Sequence, residues 1–410
     1  MAVTALYVHV PFCAQKCRYC DFDSSSFAPY DLSAALDAYF EQLFARLDAF
    51  GKAGALDQIR TVYVGGGTPS LAGERLVKLA RRISMWCKPV EFTCEANPES
   101  LTVELAAALA KVGVTRVSLG VQTLDNTELT VIGRIHDADR ALAAIATVKN
   151  AGLDVSCDLM CGLPGQTTAS WKRTLDGVLA AAPHHVSVYP LTLEEGTPLY
   201  CMACCDESLV PDEDFQAACM DVARELLGAA GYHPYEVASY ALDGHECAHN
   251  IAYWTGRGYL GLGRSAAGML DAEDFDRLAG LFPGVSSRGD AYRVRLVQHD
   301  DAATAFDAEY LSQREAAAED LMLACRMTRG IVSDLLVRAA CVIPTGELAA
   351  ACYRALELGL ATWVPETLGV HEGPFTSADV LAGHVRARLA PTHLGWLDGN
   401  VLFELFWDLA

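Results

Sequence analysis

The chain lacks long apolar runs. None approaches the ~18 residues that cross a bilayer, so no membrane-spanning segment is expected. It is short of basic charge: 31 Lys plus Arg stand against 52 Asp plus Glu, a net charge of −21 over 410 residues. Such a surface repels phosphate backbones and anionic headgroups. It excludes nucleic acid as a general partner and leaves no polybasic membrane anchor. The first ten residues carry no basic n-region before Pro11 and Cys13, so no secretory leader is expected. No GxGxxG follows the first predicted strand, which argues against dinucleotide binding. Internal repeats and low-complexity tracts are missing. Residues 301–410 contain no lysine, and seven Arg face fifteen Asp plus Glu there, which argues against a DNA-binding module.

Apolar residues are plentiful at 52%, with 20% charged, so a large core can form. Cysteine is plentiful too. Fifteen are too sparse for a disulfide-built miniprotein, and the number is odd. Together with the missing leader, this predicts a soluble cytoplasmic protein with reduced thiols.

The first 190 residues alternate between short β-branched runs and Ala/Leu-rich amphipathic stretches. Predicted strands are Ala5–Val10, Thr61–Val64, Val90–Thr93, Arg116–Gly120, Asp154–Leu159 and His185–Leu191. Predicted helices are Leu32–Phe50, Leu71–Cys87, Leu101–Val112, Ala138–Ala151 and Thr167–Ala182. Such alternation implies an α/β fold with a parallel sheet, and a barrel or partial barrel fits best. A further helix is expected near Phe215–Gly231, and residues Ala272–Asp301 read as a linker with some strand character. The domain division is set at 1–300 and 301–410. The second part is expected to be small and mostly helical. Its helices are Ala308–Met327, Val332–Ala340, Gly346–Gly359 and Trp396–Leu409, with a strand pair near Leu360–Val370.

The sharpest chemical signal is Cys13-Ala14-Gln15-Lys16-Cys17-Arg18-Tyr19-Cys20, directly after the first strand. Three thiolates in eight residues can converge on a soft metal centre. Zinc would need a fourth ligand, for which Asp21 would be unusual. Three cysteines suit a [4Fe–4S] cluster that leaves one iron open. Gly65-Gly66-Gly67-Thr68-Pro69 ends the second strand and lets backbone approach a ligand closely, although alone it reads as a plain turn. Glu95, Gln122 and Asp158 lie at or near the ends of successive strands, and Arg134 follows Gln122 by twelve residues. Groups at the C-terminal ends of parallel strands converge on one mouth.

Together these residues resemble the radical S-adenosylmethionine (SAM) superfamily, over roughly residues 5–265. Tyr7-Val8-His9-Val10-Pro11-Phe12-Cys13 and Cys20-Asp21-Phe22 resemble the branch of oxygen-independent coproporphyrinogen III oxidase and the related haem chaperones. The resemblance implies a radical-SAM partial TIM barrel of about six parallel β/α units with a winged-helix-like C-terminal domain. It implies a cluster on Cys13, Cys17 and Cys20. Tyr7, Gly66, Gly67, Thr68, Glu95, Gln122, Arg134 and Asp158 would then line the SAM pocket.

His249-Asn250-Ile251-Ala252-Tyr253-Trp254 reads on its own as a packing histidine among aromatics. The resemblance shifts this, because HNxxYW marks the chaperone branch, in which the histidine is implicated in haem binding. Cys247 is a second axial candidate. Oxidase relatives carry a further cysteine two positions after the third, where this chain has Phe22, and a longer segment ahead of the cluster. Both features favour a chaperone that binds haem and passes it to an acceptor protein, with an electron donor for the cluster. The alternative is radical decarboxylation of coproporphyrinogen III or another radical reaction. Relatives often read GxGxGAHS where this chain has Gly261 to Gly268. Ala267 stands at the expected histidine, and Arg264 is placed to meet a propionate or another carboxylate. A homodimer is compatible with the sequence. The remaining eleven cysteines read as structural, with Cys87, Cys94, Cys325, Cys341 and Cys352 in apolar contexts.

Overall fold

Strand β1 (Val3–Val10) is buried along nearly its whole length, as expected of a parallel strand covered on both faces. The computed structural model describes residues 3–26, 29–366 and 376–410. After β1 come the short strands β2 (Phe12–Cys13) and β3 (Ser25–Ser26), which pair with each other. Then β4 (Thr61–Gly66), β5 (Glu91–Ala96), β6 (Arg116–Gln122), β7 (Asp154–Cys161) and β8 (His185–Pro190) alternate with helices. These are α1 (Pro29–Lys52), α2 (Glu74–Trp86), α3 (Val103–Lys111), α4 (Asn126–Val131), α5 (Ala138–Asn150) and α6 (Thr168–Ala181). The local chemistry explains the boundaries. Thr102, Asp125, Asp137 and Thr167 each cap a helix N-terminus with a side-chain oxygen. In α2 the residues Leu76, Leu79, Ala80 and Ile83 form one buried stripe.

The chain continues through α7 (Pro198–Ala203), α8 (Glu213–Ala229), β9 (His233–Pro234), β10 (Ser239–Ala241) and α9 (Ala248–Trp254). Next come β11 (Gly258–Leu262), β12 (Ala267–Asp271), α10 (Ala272–Leu278), β13 (Arg293–Gln298) and β14 (Phe306–Leu311). The main sheet has the order β14-β13-β12-β11-β1-β4-β5-β6-β7-β8-β10-β9. From β11 to β8 all pairs are parallel, and both flanks are antiparallel. The sheet order ends at β14 and β9, so the barrel is partial. Its core runs from Val3 to Leu296.

A second core begins at Ala318 and ends at Leu409. It holds α11 (Gln313–Ala324), α12 (Ser333–Ala339), α13 (Thr345–Glu357) and the antiparallel pair β15 (Ala361–Pro365) with β16 (Ala387–Pro391). Helices α14 (Ser377–Leu381), α15 (His393–Leu397) and α16 (Gly399–Trp407) complete it.

The structure refines several expectations in this half. The helix expected from Ala308 starts at Gln313, because Ser312 and Glu315 form a capping box and Phe306–Leu311 pairs with β13. Residue 300, where the division was set, lies between β13 and β14 of the main sheet. The presumed linker contains α10 and β13. The strand near Leu360 finds its partner at 387–391, while residues 367–370 of the expected pair lie outside the described residues. Among the described residues, no helix is long and apolar enough to cross a membrane.

Candidate functional site

The cysteine loop leaves β1 through Pro11 and is fastened on two sides. Arg18 donates from its backbone N to Ile132 O at 3.0 Å, and its guanidinium donates to Val131 O at 3.0 Å. Gln15 Nε2 donates to Gly133 O at 3.2 Å, and Leu199 N donates to Arg18 O at 2.8 Å. The loop is thus held between the end of α4 and the start of α7. Cys13, Cys17 and Cys20 all face one cavity of about 340 Å³.

A zinc site would need a fourth ligand beside these three thiols. Three thiols on one cavity suit a multi-iron cluster with one iron left open. Two donors face the sulfurs: Thr68 Oγ1 lies 3.6 Å from Cys13 Sγ, and Arg134 Nη1 lies 3.4 Å from Cys17 Sγ. Such contacts suit sulfur that carries negative charge. Burial raises the Cys20 pKa. Burial also works against the Arg134 charge, but Tyr19, Cys17 and Glu99 outweigh it and raise the guanidinium pKa.

Glycine shapes the opposite wall. Gly66 has φ +111°, and a Cβ there would meet the His9 ring at 2.5 Å. A Cβ on Gly67 would lie 2.7 Å from Phe12 O and 2.8 Å from Phe12 N, against the strand that carries Cys13. Gly66, Gly67, Thr68, Glu95, Gln122, Arg134 and Asp158 line the same cavity, all at the C-terminal ends of β4 to β7 or just beyond. Glu95 accepts from Tyr63 OH at 2.9 Å and from Gly66 N at 3.0 Å. Burial and then the Asp158 charge push its pKa up to about 7. Burial pushes Asp158 up to about 6, although Ser118 donates to it at 3.1 Å. Gln122 sits at φ 66°, a conformation that costs a non-glycine residue energy and marks a constrained site. Arg134 also donates to Asn97 Oδ1 at 2.7 Å and to Gly120 O at 2.6 Å.

Tyr7 lies elsewhere. It borders a second cavity of about 430 Å³, with its ring 6.4 Å from that of Tyr63, whose hydroxyl reaches Glu95. His249 borders the same second cavity, with Tyr253, Trp254, Tyr259 and Met269. Helix α11 closes one side through Glu319 and Leu323. Both nitrogens of the His249 ring are occupied: Nδ1 meets Thr61 Oγ1 at 3.0 Å, and Nε2 meets Tyr253 OH at 3.0 Å. Burial lowers its pKa to about 3, so the ring is neutral and can serve as a metal ligand once Tyr253 turns away.

Cys247 is not beside this cavity. It is buried, with its thiol 3.5 Å from Glu91 Oε1, and burial pushes its pKa up to about 12, so its role as a second axial candidate falls away. Arg264 meets a carboxylate of the chain itself, Asp23, at 2.9 Å. Cys87, Cys94, Cys325 and Cys352 are buried as expected, but Cys341 is exposed.

Sequence reasoning missed Tyr63, Asn97, Ser118 and Glu91. Asn97 lies two residues after Glu95, and Ser118 lies four before Gln122. Glu91 is a buried carboxylate at the N-terminal end of β5, where an apolar residue is usual. It accepts from Ala248 N at 2.8 Å and His249 N at 2.9 Å, and so holds the start of α9. Asp154, His184 and His245 also cluster, at the strand ends opposite the cysteines. There His184 Nδ1 accepts from Val155 N at 3.1 Å, which uses the lone pair that a metal would need.

Three cysteines on one cavity, a glycine cradle and carboxylates at parallel strand ends define a class. Residues 7–178 match the Radical SAM superfamily, which implies a [4Fe–4S] cluster and SAM. The chain is 32% identical to a protein of Lactococcus lactis named Heme chaperone HemW, over 80% of this chain and 83% of that one. A Mycobacterium tuberculosis protein of the same name is 37% identical over 65% and 69% of the two chains. The chain therefore belongs to the HemW family of radical SAM proteins. Coproporphyrinogen III oxidase from Escherichia coli, described as a radical SAM enzyme, shares the fold with a TM-score of 0.73. It covers all of this chain and 91% of its own, at 18% identity.

Proposed function

We propose that this protein binds haem and passes it to an acceptor protein. In this reading Cys13, Cys17 and Cys20 hold the [4Fe–4S] cluster. Gly66, Gly67, Thr68, Glu95, Gln122, Arg134 and Asp158 surround SAM in the cysteine cavity. A cluster held by these cysteines would supply one electron, received from a donor protein, to SAM bound beside it. The carboxylates of Glu95 and Asp158 offer acceptors to a cationic ligand, and Arg134 offers a donor to an anionic one. His249 is the candidate haem ligand.

The observation that carries the haem reading is the aromatic cavity of about 430 Å³ bearing a neutral His249. An aromatic-lined space that also presents Asn250, Arg257, Arg293 and Glu319 suits a flat porphyrin with charged propionates. Arg257 lines it, exposed and with no ion partner among the described residues, where it can meet a propionate. Membership of the HemW family supports the same reading. The fifteen free cysteines support a reducing, cytoplasmic setting.

The test is anaerobic reconstitution of the cluster, followed by hemin titration of wild type and His249→Ala. Coproporphyrinogen decarboxylation with SAM and reductant is assayed in parallel. The proposal expects hemin binding that His249→Ala weakens at least tenfold, and no decarboxylation. Turnover of coproporphyrinogen would replace it with the oxidase reading. Hemin binding indifferent to His249 would remove the ligand role.

A further inference from the structure

Tyr63 is the one residue, among those described, that lines both cavities. The reason is its place on β4. Thr61, Tyr63 and Gly65 alternate onto one face of the strand. Thr61 holds His249 Nδ1 at 3.0 Å. The Tyr63 ring lies against the His249 ring at 5.4 Å and 30°, and against the Tyr7 ring at 6.4 Å and 27°. Its hydroxyl reaches the other way and donates to Glu95 Oε1 at 2.9 Å. Gly65 allows this, since a Cβ there would lie 2.9 Å from the Glu95 carboxyl group. One strand face thus runs from the histidine to the carboxylate, with one side chain as the partition.

We propose that Tyr63 couples the two cavities, so that occupancy of one changes the affinity of the other. This rests on the reading above, in which the first cavity takes SAM and the second a porphyrin. A ligand that donates to Glu95 competes with the phenol for Oε1. A flat ligand held by His249 in the second cavity competes for the space that the Tyr63 ring borders. Both displace the same side chain. The first ligand bears the cost of moving it, and the second does not. The linkage is positive, and it is reciprocal by thermodynamic necessity.

The experiment uses the full chain with its cluster loaded. Hemin affinity is measured with and without SAM, and SAM affinity with and without hemin, in wild type and Tyr63→Phe. The phenylalanine keeps the ring and removes the hydroxyl. In wild type each ligand should tighten the other by the same factor, about fivefold or more, the lower end of ordinary site-to-site coupling. In Tyr63→Phe the factor should fall to about one, while each ligand alone binds at least as tightly as in wild type. A merely structural tyrosine would instead weaken both single affinities. Linkage that survives in Tyr63→Phe, or none in wild type, overturns the proposal. If wild type binds no hemin, the porphyrin reading fails by itself, and amide hydrogen exchange of residues 248–254 decides the coupling. A SAM-induced change in wild type that Tyr63→Phe lacks supports it. An equal change in both, or none, overturns it.

Discussion

Replacing Glu91 with alanine should destabilise the protein more than any other single change at the base of the barrel. Glu91 is 8% exposed and accepts two backbone N–H groups, from Ala248 and His249, at 2.8 and 2.9 Å. Arg116 Nη1 lies 3.5 Å from its other side, and the Arg116 side chain is only 5% exposed. Hydrogen bonds to a charged group contribute about 1.5–3 kcal/mol each. Removing one partner of a buried pair costs about 3–5 kcal/mol, because the other charge is left uncompensated. These contributions overlap, since Arg116 keeps the carbonyls of His245 and Glu246 at 2.7 and 3.2 Å. The expected loss is therefore about 3–5 kcal/mol rather than the sum. Equilibrium urea unfolding, followed by tryptophan fluorescence, measures it. The double variant Glu91→Ala/Arg116→Met removes both buried charges and should recover part of the loss. A wild-type midpoint for Glu91→Ala, or simple additivity in the double variant, would refute the reasoning. The same substitution frees the His249 backbone and should weaken hemin binding without touching the cavity wall.

Gly67→Ala places a methyl group 2.7 Å from the Phe12 carbonyl and should push the strand bearing Cys13 outward. Iron and sulfide bound per chain after reconstitution should fall well below wild type, with the circular dichroism of the fold retained. His185 is held neutral by burial, which lowers its pKa from 6.5 to about 3. The unfolded chain therefore binds a proton between those pH values that the folded chain does not, so stability falls as pH drops from 6.5 toward 3. Urea unfolding of His185→Gln across that range should show a shallower loss than wild type; parallel curves would deny the burial effect. Arg257→Ala should weaken hemin by about two- to fivefold, as suits an exposed ion pair, and leave hemin dimethyl ester unaffected.

The alternation of the first 190 residues was readable because parallel strands and their crossover helices impose different periods on the same chain. All six predicted strands of that part are present, because capping residues and β-branched runs act locally. That Cys13, Cys17, Cys20, the GGGTP turn and the strand-end Glu95 and Asp158 meet at one cavity was also readable, since each is close in sequence to the element that aims it. Local signals failed between about 270 and 311, while the helices expected at 332–340 and 346–359 are present as α12 and α13. Ala308–Leu311 looks helical by composition and becomes a strand because β13 pairs with it.

The sequence by itself determined the order of strands, the cysteine spacing and the charge that repels nucleic acid, all of which depend on neighbours a few positions apart. Only the tertiary structure decided that Tyr7 and His249 share one cavity, that Cys247 turns to Glu91, and that Tyr63 stands between two sites. Those facts join residues up to 242 positions apart. They follow from sheet register and close packing, which no short stretch of chain encodes.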